Sequence, residues 1–218
     1  MFKQLSLLNS GQVSELKKIV DDAQFVDGKI SNPHSKVKNN LQLHDVEGYK
    51  KSSKILHDAL MGNREFVDFA FPEKVAPPLI TRYKPGMNYG LHADSAIIPL
   101  PDGPIRSDIS CTIFLSDVND CQGGALHVTQ GEAGMRFKGT PGTAIVYPSY
   151  TLHEVEPVTA GERMVAITFI QSKIPDVMNR NLLYELNEVA ALEGLNMAQE
   201  NYARLQAVQY NLLRKWMR

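Results

Sequence analysis

Between Pro77 and Ser172 the chain is a series of short apolar runs rich in Ile, Val, Thr, Phe and Tyr, each closed by Gly, Pro, Asn or Asp. The runs cover residues 79–84, 88–94, 109–116, 125–129, 135–138, 143–147, 152–155 and 164–171. They are too short for ordinary helices, and β-branched and aromatic side chains suit a pleated, half-buried surface. Eight such strands at this spacing predict antiparallel sheets closed into a sandwich or barrel, and the count fits a double-sheet jelly roll.

Helical patterns flank this region. Asn9 and Gln12 have capping-box spacing, and Val13, Leu16, Ile19, Val20 and Ala23 then recur at helical steps. A second helix is expected over residues 51–62, with 36–43 as an extended strand between the two. Beyond Pro175, Leu182, Leu183, Leu186, Val189 and Ala190 mark a helix that stops near Gly194. Leu205, Val208, Leu212 and Trp216 form the stripe of a last helix. The division is a helical and extended segment (1–76), a jelly-roll core (77–174) and a C-terminal helical extension (175–218). The last stripe is expected to pack on the protein's own sheet, the alternative being a homodimer through these helices.

Composition narrows the partners. The 23 Lys and Arg against 24 Asp and Glu leave a formal charge of −1, which excludes a bulk polyanion binder, so no nucleic-acid partner is expected. No run approaches the ~20 apolar residues of a membrane span, and the first residues lack a basic leader with an apolar stretch. Two cysteines, Cys111 and Cys121, cannot build a disulfide framework. These features predict a soluble cytoplasmic protein with no membrane partner.

Six histidines are present, and most read as surface or hydrogen-bonded structural residues. His92 and Asp94 differ, because residues i and i+2 of a strand share a face and would project an imidazole beside a carboxylate. His153 is the third member. Two His and one carboxylate with open positions form the facial arrangement of non-haem Fe(II) oxygenases. His127, the rival ligand, is read as structural. Arg163 is an independent signal. A hairpin centred near Val158 would set it opposite His153, and a guanidinium entering a β core is costly unless it meets an anion. Its planar fork matches the carboxylate of a dianionic co-substrate such as 2-oxoglutarate.

In their surroundings these residues resemble the Fe(II)- and 2-oxoglutarate-dependent dioxygenases, specifically the bacterial PKHD-type hydroxylases. The matching strings are Lys38-Asn39-Asn40-Leu41-Gln42-Leu43, Arg82-Tyr83, Tyr89-Gly90, His92-Ala93-Asp94 and Arg106-Ser107-Asp108-Ile109-Ser110. They continue with Phe114-Leu115-Ser116, Gly123-Gly124, Tyr147-Pro148-Ser149 leading to His153, and Glu156 through Arg163. The resemblance implies a double-stranded β-helix, iron on His92, Asp94 and His153, and Arg163 on the distal carboxylate of 2-oxoglutarate. It points to Tyr83 or Tyr89, on the strand leading to His92, as a phenolic partner for that carboxylate, with Tyr83 preferred. Phe114 stands where animal prolyl hydroxylases carry a tyrosine for this task. The implied reaction consumes O2 and 2-oxoglutarate, releases succinate and CO2, and hydroxylates a C–H bond of a peptidyl or small-molecule substrate. L-ascorbate is an open requirement. Relatives that halogenate lack the carboxylate, so Asp94 implies hydroxylation.

Two other classes fit the same strands: a jelly-roll binding protein whose metal no longer turns over, and a cupin-type metalloenzyme without a keto acid. The first would be free to lose Asp94 or Arg163, and the second has no use for Arg163. The proline-bearing loop 95–107 follows the metal strand and is read as either a substrate wall or a plain surface loop.

Overall fold

The computed structural model describes residues 1–218. The chain opens on strand β1 (Lys3–Ser6) and helix α1 (Ser10–Asp21). Asn9 Oδ1 accepts the Gln12 N–H at 2.9 Å and Gln12 Oε1 accepts the Asn9 N–H at 3.0 Å, which completes the expected capping box. Strands β2 (Phe25–Asp27), β3 (Lys38–Asn39) and β4 (Leu41–Leu43) lead to helices α2 (Val46–Gly62) and α3 (Arg64–Ala70).

The β region follows: β5 (Pro72–Val75), β6 (Leu79–Tyr83), β7 (Asn88–His92), β8 (Ile97–Ile98), β9 (Ile105–Arg106) and β10 (Ile109–Phe114). It continues with β11 (Cys121–Gly123), β12 (Leu126–Gln130), β13 (Ala133–Phe137), β14 (Thr143–Pro148), β15 (Leu152–Val155), β16 (Val158–Gly161) and β17 (Arg163–Ser172). Helices α4 (Val177–Glu193) and α5 (Gln199–Trp216) close the chain. Each of the eight runs predicted from the sequence overlaps a strand.

Most of the strands form two facing antiparallel sheets, with β8-β9 and β11-β16 as separate two-stranded ribbons. The large one runs β1-β14-β10-β17-β6-β4-β2, with β5 beside β17, and the small one runs β13-β12-β15-β7-β3. This is the mainly β jelly roll with flanking helices that the pattern called for. Every residue of β10 is buried because the centre of the large sheet is covered on both faces. Its Ile109, Cys111 and Ile113 join Leu16, Leu56, Leu60 and Phe66 of the helices in the main core. Its Phe114 points the other way, into a second cluster with Leu126, Val128, Tyr147 and Val165 between the sheets. The small sheet alternates instead: Leu126 and Val128 are buried whereas His127 and Thr129 are only partly so, as a sheet with one wet face requires. Helix α4 packs on the body through Leu183 and Tyr184, the latter edge-on to Phe69 at 5.3 Å, and α5 lies on α4.

Several expectations need correction. The segment 36–43 is not one strand: β3 pairs with β7 in the small sheet, β4 pairs with β6 in the large, and Asn40 lies at the crossing. A segment that changes sheets cannot keep a single alternation. The stretch 157–161 is not a hairpin turn either, since β16 is itself a strand paired with β11. His153 and Arg163 are therefore not cross-strand neighbours. His153 pairs with His92 in the small sheet and Arg163 with Tyr83 in the large one. Tyr83 likewise lies on β6 in the large sheet, rather than on the strand that carries His92. Helix α3 and strand β1 have no counterpart in the sequence reading. Both are short, and β1 owes its place to pairing with β14.

Candidate active site

Two strands of the small sheet bring the histidines together. His92 ends β7 and faces His153 on β15, with ring centroids 4.3 Å apart. Asp94 lies just beyond β7, not on it, so the turn after the strand aims its carboxylate rather than the strand's alternation. Its Oδ1 is 3.9 Å from His92 Nε2 and its Oδ2 is 3.7 Å from His153 Nε2. The three donor atoms lie within 4.8 Å of one another, so one ion can reach all of them.

The histidine tautomers are set by the backbone. His92 Nδ1 lies 2.8 Å from the Gly90 carbonyl and His153 Nδ1 lies 2.9 Å from the Thr151 carbonyl. A carbonyl only accepts, so each Nδ1 carries a proton, which leaves each Nε2, on the side facing Asp94, as the atom available to a metal. Burial, reinforced by the neighbouring His153, holds the His92 pKa below the usual imidazole value, which favours the neutral ligating form. Ser110 donates to Asp94 Oδ2 at 2.6 Å, and Ser149 links Ser110 to Ser107 at 2.8 and 2.7 Å. This hydroxyl chain fixes the carboxylate. Two imidazoles and one oriented carboxylate, with no thiolate, suit a divalent first-row metal that keeps open positions.

A bulge in β7 completes the local design. His92 pairs with His153 and Tyr89 with Val155, so four residues of β7 (89–92) span three of β15 (153–155). Without the extra residue, Tyr89 and His92 would face opposite ways. With it, their rings stack at 3.6 Å.

Behind the triad is a cavity lined by Tyr83, Ser110, Tyr147, Arg163 and Thr168 among others. Arg163 is 5% exposed. Its guanidinium lies over the Tyr83 ring, 4.9 Å from the centroid, and the nearby acids are engaged elsewhere: Glu162 with Arg82, Glu154 with His127 and Glu156 with Arg136. Burial pulls its pKa down while Tyr83, Cys121 and Tyr147 oppose the shift. Gly124 gives the side chain its path. It adopts φ +67°, and a Cβ there would lie 3.0 Å from Arg163 Cδ. Tyr83 Oη accepts from Asn40 Nδ2 at 2.9 Å, which leaves the phenolic proton for another acceptor.

His127 bonds Glu154 across the outer surface of the small sheet at 3.0 Å, away from the triad, as a structural histidine would. Phe114 packs in the apolar cluster between the sheets. Loop 95–107 carries the ribbon of β8 and β9, and its Ile97 to Leu100 line a second, outer cleft that shares His92 and Asp94 with the inner cavity. Lys38, Asn40, Ser110 and Ser149 were not singled out as site residues. All four stood in the quoted strings, but a serine or lysine there carries no spacing signal of its own.

An inner cavity with a cationic floor and a facial two-histidine, one-carboxylate cluster at its mouth defines the class of 2-oxoglutarate-using iron oxygenases, and residues 78–171 match the family model of the 2OG-Fe(II) oxygenase superfamily. The chain belongs to the PKHD-type hydroxylases: it is 66% identical over 218 residues to the PKHD-type hydroxylase of Sphingopyxis alaskensis, covering 100% of both chains. It is 37% identical over 219 residues to that of Janthinobacterium sp., covering 96% of each. The fold is shared with a Pseudomonas putida prolyl-4-hydroxylase (TM-score 0.56, 16% identity, 78% of this chain and 92% of that one). It is also shared with a Trichoplax adhaerens prolyl hydroxylase solved with a peptide fragment of the hypoxia inducible factor oxygen degradation domain (TM-score 0.60, 17% identity, 78% and 83%). The protein is thus a 2-oxoglutarate-dependent dioxygenase. No helix is long and apolar enough to cross a membrane.

Proposed function

We propose that His92, Asp94 and His153 hold Fe(II), that Arg163 holds the distal carboxylate of 2-oxoglutarate, and that the enzyme hydroxylates an unactivated C–H bond. The carrying observation is the convergence of three donor atoms within 4.8 Å at the mouth of a cavity that also exposes Arg163. When bound, the iron and keto acid supply the oxidising chemistry, with decarboxylation of 2-oxoglutarate to succinate and CO2.

The chain's own residues do the positioning. The Gly90 and Thr151 carbonyls hold the protons on Nδ1 of His92 and His153, and Ser110 orients Asp94. Arg163 and the Tyr83 hydroxyl, primed by Asn40, present donors to one carboxylate deep in the cavity. Apolar walls from Leu126, Val155 and Val165 keep water from that end. The outer cleft admits a small molecule or peptide segment. A reductant such as L-ascorbate serves to restore ferrous iron, and the buried free thiols of Cys111 and Cys121 suit a cytoplasmic setting.

The test is succinate formation from 2-oxoglutarate with added Fe(II), comparing the parent with His92→Ala. Turnover in the parent and none in the variant is expected. Equal turnover in both would refute the assignment.

A further inference from the structure

Lys38 is a buried cation that the proposed reaction does not use. It lies on β3 opposite Tyr89 and is 7% exposed, yet it forms part of both the inner cavity and the outer cleft. Its ammonium donates to Ser31 Oγ at 2.7 Å and lies 5.6 Å from the centre of the Tyr89 ring. Asp27 and Asp94 attract it from a distance. The Asp27 carboxylate is turned to the Lys29 N–H, and the Asp94 carboxylate faces the two histidines. Neither comes within ion-pair reach of Lys38. A desolvated ammonium with one neutral hydrogen-bond partner is expensive to keep, and burial already lowers its pKa.

Charge accounting over the loaded site, which rests on the function proposed above, shows what is missing. A ferrous ion balances the two carboxylates of the keto acid, and Asp94 balances Arg163. Lys38 is then a surplus positive charge at the junction of the two cavities. The outer cleft has an apolar part, with Ile30, Ile97, Ile98, Pro99 and Leu100 on its walls. We infer that Lys38 binds a carboxylate of the substrate, and that the substrate is an acid whose apolar body fills this cleft and whose carboxylate carries no compensating cation beside it. Tyr89 links the two functions, since its ring stacks on His92 and lies under the Lys38 ammonium. A carboxylate held there sets the rest of the molecule over the triad.

The test is calorimetric binding to the protein loaded anaerobically with Mn(II) and 2-oxoglutarate. The probes are the N-acetyl derivatives of L-leucine, L-isoleucine, L-proline and L-phenylalanine, their C-terminal amides, and tetrapeptides ending in the same residues as free acids. At least one acid is expected to bind, with its amide at least tenfold weaker. Binding by the N-acetyl acids identifies a small acid as the ligand, and binding by the tetrapeptides alone identifies a peptide C-terminus. Lys38→Met keeps the aliphatic stem and is expected to lose the acid at least tenfold while retaining the parent's affinity for Mn(II) and 2-oxoglutarate. The acid and amide contrast on the parent stands even if that variant does not fold. Amides binding as tightly as acids, no acid binding at all, or undiminished acid binding by folded Lys38→Met would overturn the assignment. Failure of the parent to take up Mn(II) and 2-oxoglutarate would instead overturn the dioxygenase site itself.

Discussion

The two ends of the cavity are built by different sheets. The mouth belongs to the small sheet, where His92 and His153 face each other across β7 and β15 and the outer surface meets solvent. The floor belongs to the large sheet, where Arg163 and Tyr83 are paired across β17 and β6 and both faces are buried. The mouth offers lone pairs and a carboxylate, so it suits a cation; the floor offers a guanidinium and a phenol, so it suits an anion. A jelly roll sets these surfaces against each other without either strand pair having to supply both chemistries. Disabling the floor is therefore expected to leave metal binding at the mouth intact.

The largest effect belongs to the mouth. Asp94→Ala removes the only charged donor and is expected to reduce Fe(II)-dependent succinate formation to background, measured at saturating 2-oxoglutarate. Retention of full turnover would break the division between the sheets. At the floor, Arg163→Ala is expected to raise the KM for 2-oxoglutarate, since losing one partner of a buried charge pair costs about 2–5 kcal/mol. That range is roughly 30-fold or more in affinity. Metal affinity, read by calorimetry on the same variant, is expected to stay at the parent value. Arg163→Lys keeps the charge without the fork and is expected to fall between the two.

A smaller effect sharpens the comparison, because Ser110 sits on the large sheet yet serves the mouth. Ser110→Ala removes the hydrogen bond to Asp94 Oδ2 and is expected to weaken metal binding about 10- to 100-fold, as loss of an outer hydrogen bond to a ligand typically does. The keto acid's affinity for the metal-loaded variant should hardly change. The smallest effect concerns Cys111, next to Ser110 but on the helix-facing side of β10. Burial pushes its thiol up to about 12, so no thiolate forms near neutral pH. Iodoacetamide at pH 8, followed by mass spectrometry, is expected to leave Cys111 unlabelled in the folded protein.

The same contrast explains what could be read from the chain before folding. The β runs were legible because each carries its signal locally, in residue type and bounding turns. His92, Asp94 and His153 were legible as a set because ligand chemistry restricts the residue types that can serve. The relation of His153 to Arg163 was not. They are ten positions apart, and a local hairpin was the simplest link, whereas β16 carries the chain from one sheet to the other. The bulge in β7 was equally hidden, since it exists only in the register against β15. Tyr83 was assigned to the wrong strand, because its pairing with Arg163 is made by tertiary structure alone. Ser110 and Lys38 matter through what faces them, and no spacing in the sequence encodes that.

The most direct measurement is an anaerobic calorimetric titration with Fe(II) and then 2-oxoglutarate on the parent, Asp94→Ala and Arg163→Ala. The parent should bind one Fe(II) per chain and then the keto acid, Asp94→Ala should lose both, and Arg163→Ala should keep the metal while losing the keto acid. Undiminished Fe(II) binding by Asp94→Ala, or parent-like 2-oxoglutarate binding by Arg163→Ala, would contradict a cation site at the mouth and an anion site at the floor.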